Sequence, residues 1–154
     1  MAYFNLSETN HSGKTIMIFL EGTILKPKSK WFLFSFQNYV PIGRCVDIIK
    51  RWYAQGMNIC YCTSRKRRGT AVMIDLLKRF ELPGERLYYR GKGESYKHIV
   101  ETVKPDVLIE DNCKSIGGAA QMCITHVCPE IRQGIKSVVV KEYKGIDHLA
   151  EMTF

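Results

Sequence analysis

Residues 15–20, Thr-Ile-Met-Ile-Phe-Leu, form an unbroken apolar, β-branched run that stops at Glu21-Gly22. A strand wet on one face alternates apolar with polar residues, whereas a strand without alternation is covered on both faces, as in a parallel sheet between two layers of helices. Shorter runs of the same kind recur at 58–62, 87–89, 107–109 and 137–140. Between them the apolar period lengthens from 2 to 3.6. Ile42, Cys45, Val46, Ile49, Trp52 and Tyr53 mark one helix, with Pro41 placed to open it and Gly56 to close it. Val72, Met73, Leu76, Leu77 and Phe80 mark a second, stopped by Pro83-Gly84, and Tyr96, Ile99, Val100 and Val103 mark a third. Further on, 116–122 reads as helical, 123–127 as a strand, 129–135 as a short helix and 137–140 as a last strand on the sheet edge. This alternation predicts a doubly wound α/β fold, a mainly parallel sheet with helices on both faces. Residues 31–39 (WFLFSFQNY) fit neither period; they suit a hairpin flap over the strand ends or, more plainly, a cover for the core.

The length of 154 residues suits a single domain over 1–154, with a core at 14–127 and an extension at 128–154. No apolar run approaches the ~20 residues of a membrane helix, and the N-terminus has no basic stretch followed by an apolar one. The expectation is a cytoplasmic protein without a membrane partner. Its six cysteines then read as reduced thiols. Cys60 and Cys62 would share one face of a strand; as a metal pair completed by Cys123, His126 or Cys128 they lack the usual C-x2-C spacing, so small buried hydrophobes are the better reading. The net charge of +8 asks for an anionic partner, either a phosphate-bearing small molecule or nucleic acid. Residues 63–97 hold ten basic and four acidic side chains, and those at 65–68 and 92–97 should lie near strand ends. A local basic rim favours a small anionic ligand over a nucleic-acid surface.

In doubly wound sheets ligands bind beyond the carboxyl ends of the strands. The residues there are Glu21-Gly22-Thr23, Thr63-Ser64-Arg65 and Glu110-Asp111-Asn112. Hydroxyls and N–H groups at a helix start hold phosphate oxygens, a lysine such as Lys97 at the start of the third helix offsets charge, and paired acids hold magnesium. Singly, each has a plainer explanation: a helix cap, a solvated lysine, an acidic turn. Their joint placement at strand ends is what marks a site.

In this order the motifs resemble those of the haloacid dehalogenase superfamily, mostly phosphatases on a doubly wound α/β domain. The resemblance runs from Lys14 to about Val127, and the short interval between the first two motifs is similar to members without a large cap domain. The family's Asp-x-Asp-Gly-Thr corresponds to Phe19-Leu20-Glu21-Gly22-Thr23, its strand ending in Thr or Ser to Thr63, its lysine to Lys97 (Lys92 is less well placed), and its terminal acid pair to Glu110-Asp111. The resemblance implies catalytic positions at Glu21, Thr63 and Lys97, substrate contacts from Gly22, Thr23, Ser64 and Arg65, and magnesium ligands at Glu110 and Asp111. One departure matters most. The family's first Asp attacks phosphorus and binds the metal, and here it is Phe19, whose ring has no lone pair for either task. The second Asp, the family's general acid/base, is Glu21, one methylene longer. The leading expectation is therefore a phosphatase-like protein that binds a phosphorylated ligand without covalent turnover and holds magnesium weakly. The alternatives are a phosphohydrolase in which Glu21, or water that it activates, replaces the nucleophile, and a nucleic-acid-binding module using the run Arg65-Lys66-Arg67-Arg68 and tyrosines that stack on bases.

Overall fold

The computed structural model describes residues 1–8, 11–29, 31 and 36–153. In chain order its strands are β1 (Ala2–Asn5), β2 (Thr15–Phe19), β3 (Leu25–Pro27), β4 (Tyr39–Pro41), β5 (Asn58–Thr63), β6 (Arg86–Tyr89), β7 (Val107–Asp111) and β8 (Lys136–Val140). The α-helices are α1 (Cys45–Ala54), α2 (Arg67–Arg79), α3 (Tyr96–Val103), α4 (Cys123–His126) and α5 (Pro129–Arg132). Six strands make one sheet in the order β1-β6-β5-β2-β7-β8, parallel throughout except for β1, which runs antiparallel to β6.

The unbroken apolar run becomes central strand β2, and each face of it feeds a different core. Ile16 and Ile18 pack with Ile59 and Tyr61 of β5 and Val107 and Ile109 of β7, under Ile48, Ile49 and Trp52 of α1 and Met73, Leu76 and Leu77 of α2. Met17 points the other way and packs with Cys60, Cys62 and Leu108 under Ile99 and Val100 of α3. The layering follows from chain direction. From β2 the chain steps outward to β5 and β6, so right-handed crossovers put α1 and α2 on one face; it then returns past β2 to β7, and the same handedness puts α3 on the other. Strand order reverses at β2, which opens a crevice beyond its carboxyl end. Cys60 and Cys62 are buried in the second core as free thiols, and burial pushes Cys60 up to about 12.

Four local expectations need correction. Residues 123–127, expected as a strand, begin with the short helix α4, whose Cys123 and Ile124 N–H groups are both capped by the Glu110 carboxylate; that tertiary cap outweighs local β propensity. Residues 116–122 fall across two short 3-10 turns separated at Gly117, with Gly117 and Gly118 both at positive φ (131° and 68°). Pro41 closes β4, and α1 starts only at Cys45. The N-terminus, read only for targeting, supplies edge strand β1. Of residues 31–39, 32–35 lie outside the described residues; Trp31 is 92% exposed, Tyr39 joins the first core, and β4 pairs with β3 as a separate two-stranded sheet. Among the described residues no helix is long and apolar enough to cross a membrane.

Because Ile18 is fully buried between two strands and under two helices, Ile18→Ala should destabilise the fold by about 2–5 kcal/mol, measured by urea unfolding.

Candidate functional site

The carboxyl ends of β2, β5, β7 and β8 enclose a cleft of about 210 Å³. Glu21, Gly22, Ser64, Arg65, Glu110 and Asp111 line it, so six of the nine expected site residues meet there. Sheet register explains part of this. Phe19 is paired with Cys62, so Glu21, two residues on, arrives beside Thr63 and Ser64. Its Oε1 accepts from the Thr63 hydroxyl (2.7 Å) and Arg65 Nε (3.1 Å), and its Oε2 accepts from the Ser64 N–H (3.0 Å). Thr63 in turn accepts from the Arg65 N–H at 3.1 Å. The donors expected to hold phosphate oxygens thus form a cradle around the protein's own carboxylate.

Gly22 has φ +83°, and a Cβ there would lie 2.8 Å from Asp111 Oδ1. Its lack of a side chain permits both the turn after β2 and the approach of Asp111. Both its backbone groups are engaged internally, the N–H with the Leu25 carbonyl (3.0 Å) and the carbonyl with the Tyr143 N–H (2.7 Å). Thr23 is fully buried and donates to Asp111 Oδ1 at 3.3 Å. Asp111 Oδ2 accepts from the Cys113 N–H at 2.9 Å. Glu110 is buried, and each of its oxygens accepts a backbone N–H, from Cys123 at 2.6 Å and Ile124 at 2.9 Å.

This donor set does not fit a tightly held magnesium ion. Position 19 offers a ring, the Glu110 oxygens both serve α4, and no group of three His, Cys, Asp or Glu placed to hold a metal occurs among the described residues. Lys97 is not among the residues lining the cleft; its ammonium lies 3.7 Å from Glu101, one helical turn on. Helical phase accounts for that, since Tyr96, one residue earlier and about 100° away, is the side chain of α3 that faces the cleft. Phe19 packs edge-on against the Tyr96 ring (centroids 5.2 Å apart), and Arg90 lies over that ring at 4.4 Å. The Tyr96 hydroxyl is buried with no hydrogen-bond partner among the described residues, and burial pushes its titration well up. Sequence reasoning missed Tyr96, Glu142 and Tyr143, which line the cleft, and Arg90, which lies outside it over the Tyr96 ring. The strand-end rule would have found three of them, because Arg90 follows β6 and Glu142-Tyr143 closely follow β8.

Burial, the largest influence, raises both Glu110 and Asp111 above their ordinary values of 4.5 and 3.8, against the opposing N–H and hydroxyl donors. A carboxyl raised in the fold contributes stability that is fully present below its unfolded value and is lost as pH rises through the folded one. Glu110→Gln has no proton to lose in that window. Its stability relative to the native chain should therefore improve as pH rises above the ordinary carboxyl value of 4.5, read from urea midpoints; a constant difference would refute the assignment.

The sequence matches no family model and no curated protein. In fold the chain is similar to a chain of the Pnkp1/Rnl/Hen1 RNA repair complex, with a TM-score of 0.61 and 10% identity over 88% of this chain, which spans 45% of that one's length. Similar structures also include the D,D-heptose 1,7-bisphosphate phosphatase of B. bronchiseptica, described with magnesium and phosphate, at TM-score 0.49 and 14% identity over 85% of this chain and 94% of that one. The D,D-heptose 1,7-bisphosphate phosphatase of Burkholderia thailandensis aligns at TM-score 0.49 and 15% identity, with the same coverage of 85% and 94%. At these identities the first of these likenesses speaks to the fold alone, and the chain has the mainly parallel, doubly wound α/β architecture that the alternation of its strands and helices predicts.

Proposed function

We propose that this phosphatase-fold chain binds a small phosphorylated ligand at the strand-end cleft, without turning it over through a phosphorylated aspartate. The observation that carries this reading is the cradle of Thr63 hydroxyl, Ser64 N–H and Arg65 guanidinium, closed around an oxyanion that happens to be Glu21. A hydroxyl, an N–H and a guanidinium converging on one oxyanion are also the donor types that hold phosphate oxygens. The unpartnered Tyr96 hydroxyl adds a donor in the same cleft. A phosphate enters by displacing the Glu21 carboxylate, so Glu21 sets the affinity. Turnover lacks its nucleophile, since Phe19 occupies that position and packs on Tyr96. The reading in which Glu21 acts as a general base is weakened by the same geometry: each of its carboxylate oxygens already accepts from a donor of the fold, so an attacking water would have to compete for them. Magnesium binding is weak on this reading, because one hard-cation ligand is gone and the acids at the end of β7 hold donors of their own.

Glu21→Ala leaves the cradle empty and should destabilise the fold by about 1–3 kcal/mol. Inorganic phosphate should then raise the melting temperature of the variant more than that of the native chain, by mass action on the vacated cradle. Equal responses would sink the binding reading. With an aryl phosphate and magnesium the native chain should release no phosphate above background; turnover abolished by Glu21→Gln would establish the hydrolase reading instead. Calorimetric titration with magnesium should show no tight binding.

A further inference from the structure

A second and larger cavity, of about 770 Å³, opens between the start of α2 and the loop that joins β6 to α3. It shares no lining residue with the Glu21 cleft. Four cationic side chains line it, Lys66, Arg67, Arg90 and Lys92, all of them exposed. Among the described residues none of the four is paired with a carboxylate, although the chain pairs other cations readily, as in Arg65–Glu21, Lys50–Glu81 and Lys97–Glu101. Glu94, the sole carboxylate among the lining residues, accepts the Gly91 N–H at 2.8 Å and lies 3.9 Å from His98. Arg90 is held over the Tyr96 ring, which orients its guanidinium without neutralising it.

Four like charges around one cavity repel one another, and Glu94, the one carboxylate of the lining, is taken up by the Met1 ammonium at 2.7 Å and the Gly91 N–H. An anion would offset that repulsion. One phosphate matches about two such cations, and guanidinium groups favour phosphate oxygens through paired N–H donors. The one aromatic residue of the lining, Tyr89, is buried at 8% exposure, so the cavity offers charge and no platform for a stacked base. We propose that this cavity binds a ligand carrying two or more linked phosphates, through Lys66, Arg67, Arg90 and Lys92. The linkage belongs either to a free polyphosphate or to the backbone of a single-stranded nucleic acid, and the two sources are separable by experiment. The site is independent of the Glu21 cradle and survives that reading's failure.

Tripolyphosphate would be titrated calorimetrically, and a labelled single-stranded uridylate of about ten nucleotides by fluorescence anisotropy, both at low salt. At least one should bind, more tightly than orthophosphate, with log affinity falling linearly against log salt. Lys66→Glu/Lys92→Glu should weaken that binding by at least about tenfold, and the milder Lys92→Ala should lower the salt slope of oligonucleotide binding by about one if that is the ligand. Binding of tripolyphosphate alone assigns the cavity to free polyphosphate, and binding of the uridylate alone assigns it to a strand backbone. Binding of neither probe overturns the proposal. So does unchanged affinity in both variants, each confirmed as folded by an unaltered melting temperature.

Discussion

Strand β2 is buried on both faces and paired on both edges, and most of the molecule is arranged by that constraint. Its Ile16, Met17 and Ile18 are fully buried, each worth about 1.5–3 kcal/mol of transfer free energy, and together that is comparable with the whole net stability of a domain. Because successive side chains point to opposite faces, one strand needs two cores, and two cores need helices on both sides. Parallel pairing then sends the carboxyl ends of β5, β2 and β7 to the same edge. The cleft is a consequence of how the sheet is filled.

At that edge the chemistry is governed by how buried charge is satisfied. A desolvated carboxylate is costly unless donors surround it. Glu21 has Thr63, Ser64 and Arg65; Glu110 has two N–H groups of α4; Asp111 has Thr23 and Cys113. All three acids are tied into the fold. The neighbouring cavity is the opposite case, with cations lining it and no carboxylate paired to them among the described residues. The basic surplus between residues 63 and 97 is therefore divided. Arg65 is absorbed by Glu21, Lys97 by Glu101, while Lys66, Arg67, Arg90 and Lys92 face a common space.

The central strands, α1 to α3 and the convergence of Glu21, Ser64 and Asp111 were legible in the sequence, because apolar periods of 2 and 3.6 are local signals and strand ends follow from them. Two misreadings have the same cause. Residues 123–127 look like a strand until Glu110, thirteen residues before Cys123, caps them as a helix, and the edge strand β1 becomes recognisable only when β6 lies beside it.

What the sequence determined by itself was the alternation of elements, the parallel sheet and the absence of a carboxylate at position 19. What only the tertiary structure decided was direction. Tyr96 faces the cleft and Lys97 does not, because adjacent residues on a helix diverge by about 100°. Glu21 fills the anion cradle because strand register sets Phe19 opposite Cys62, and register is a relation between chain segments more than 40 residues apart. Such relations are energies of packing and pairing, which no local pattern records.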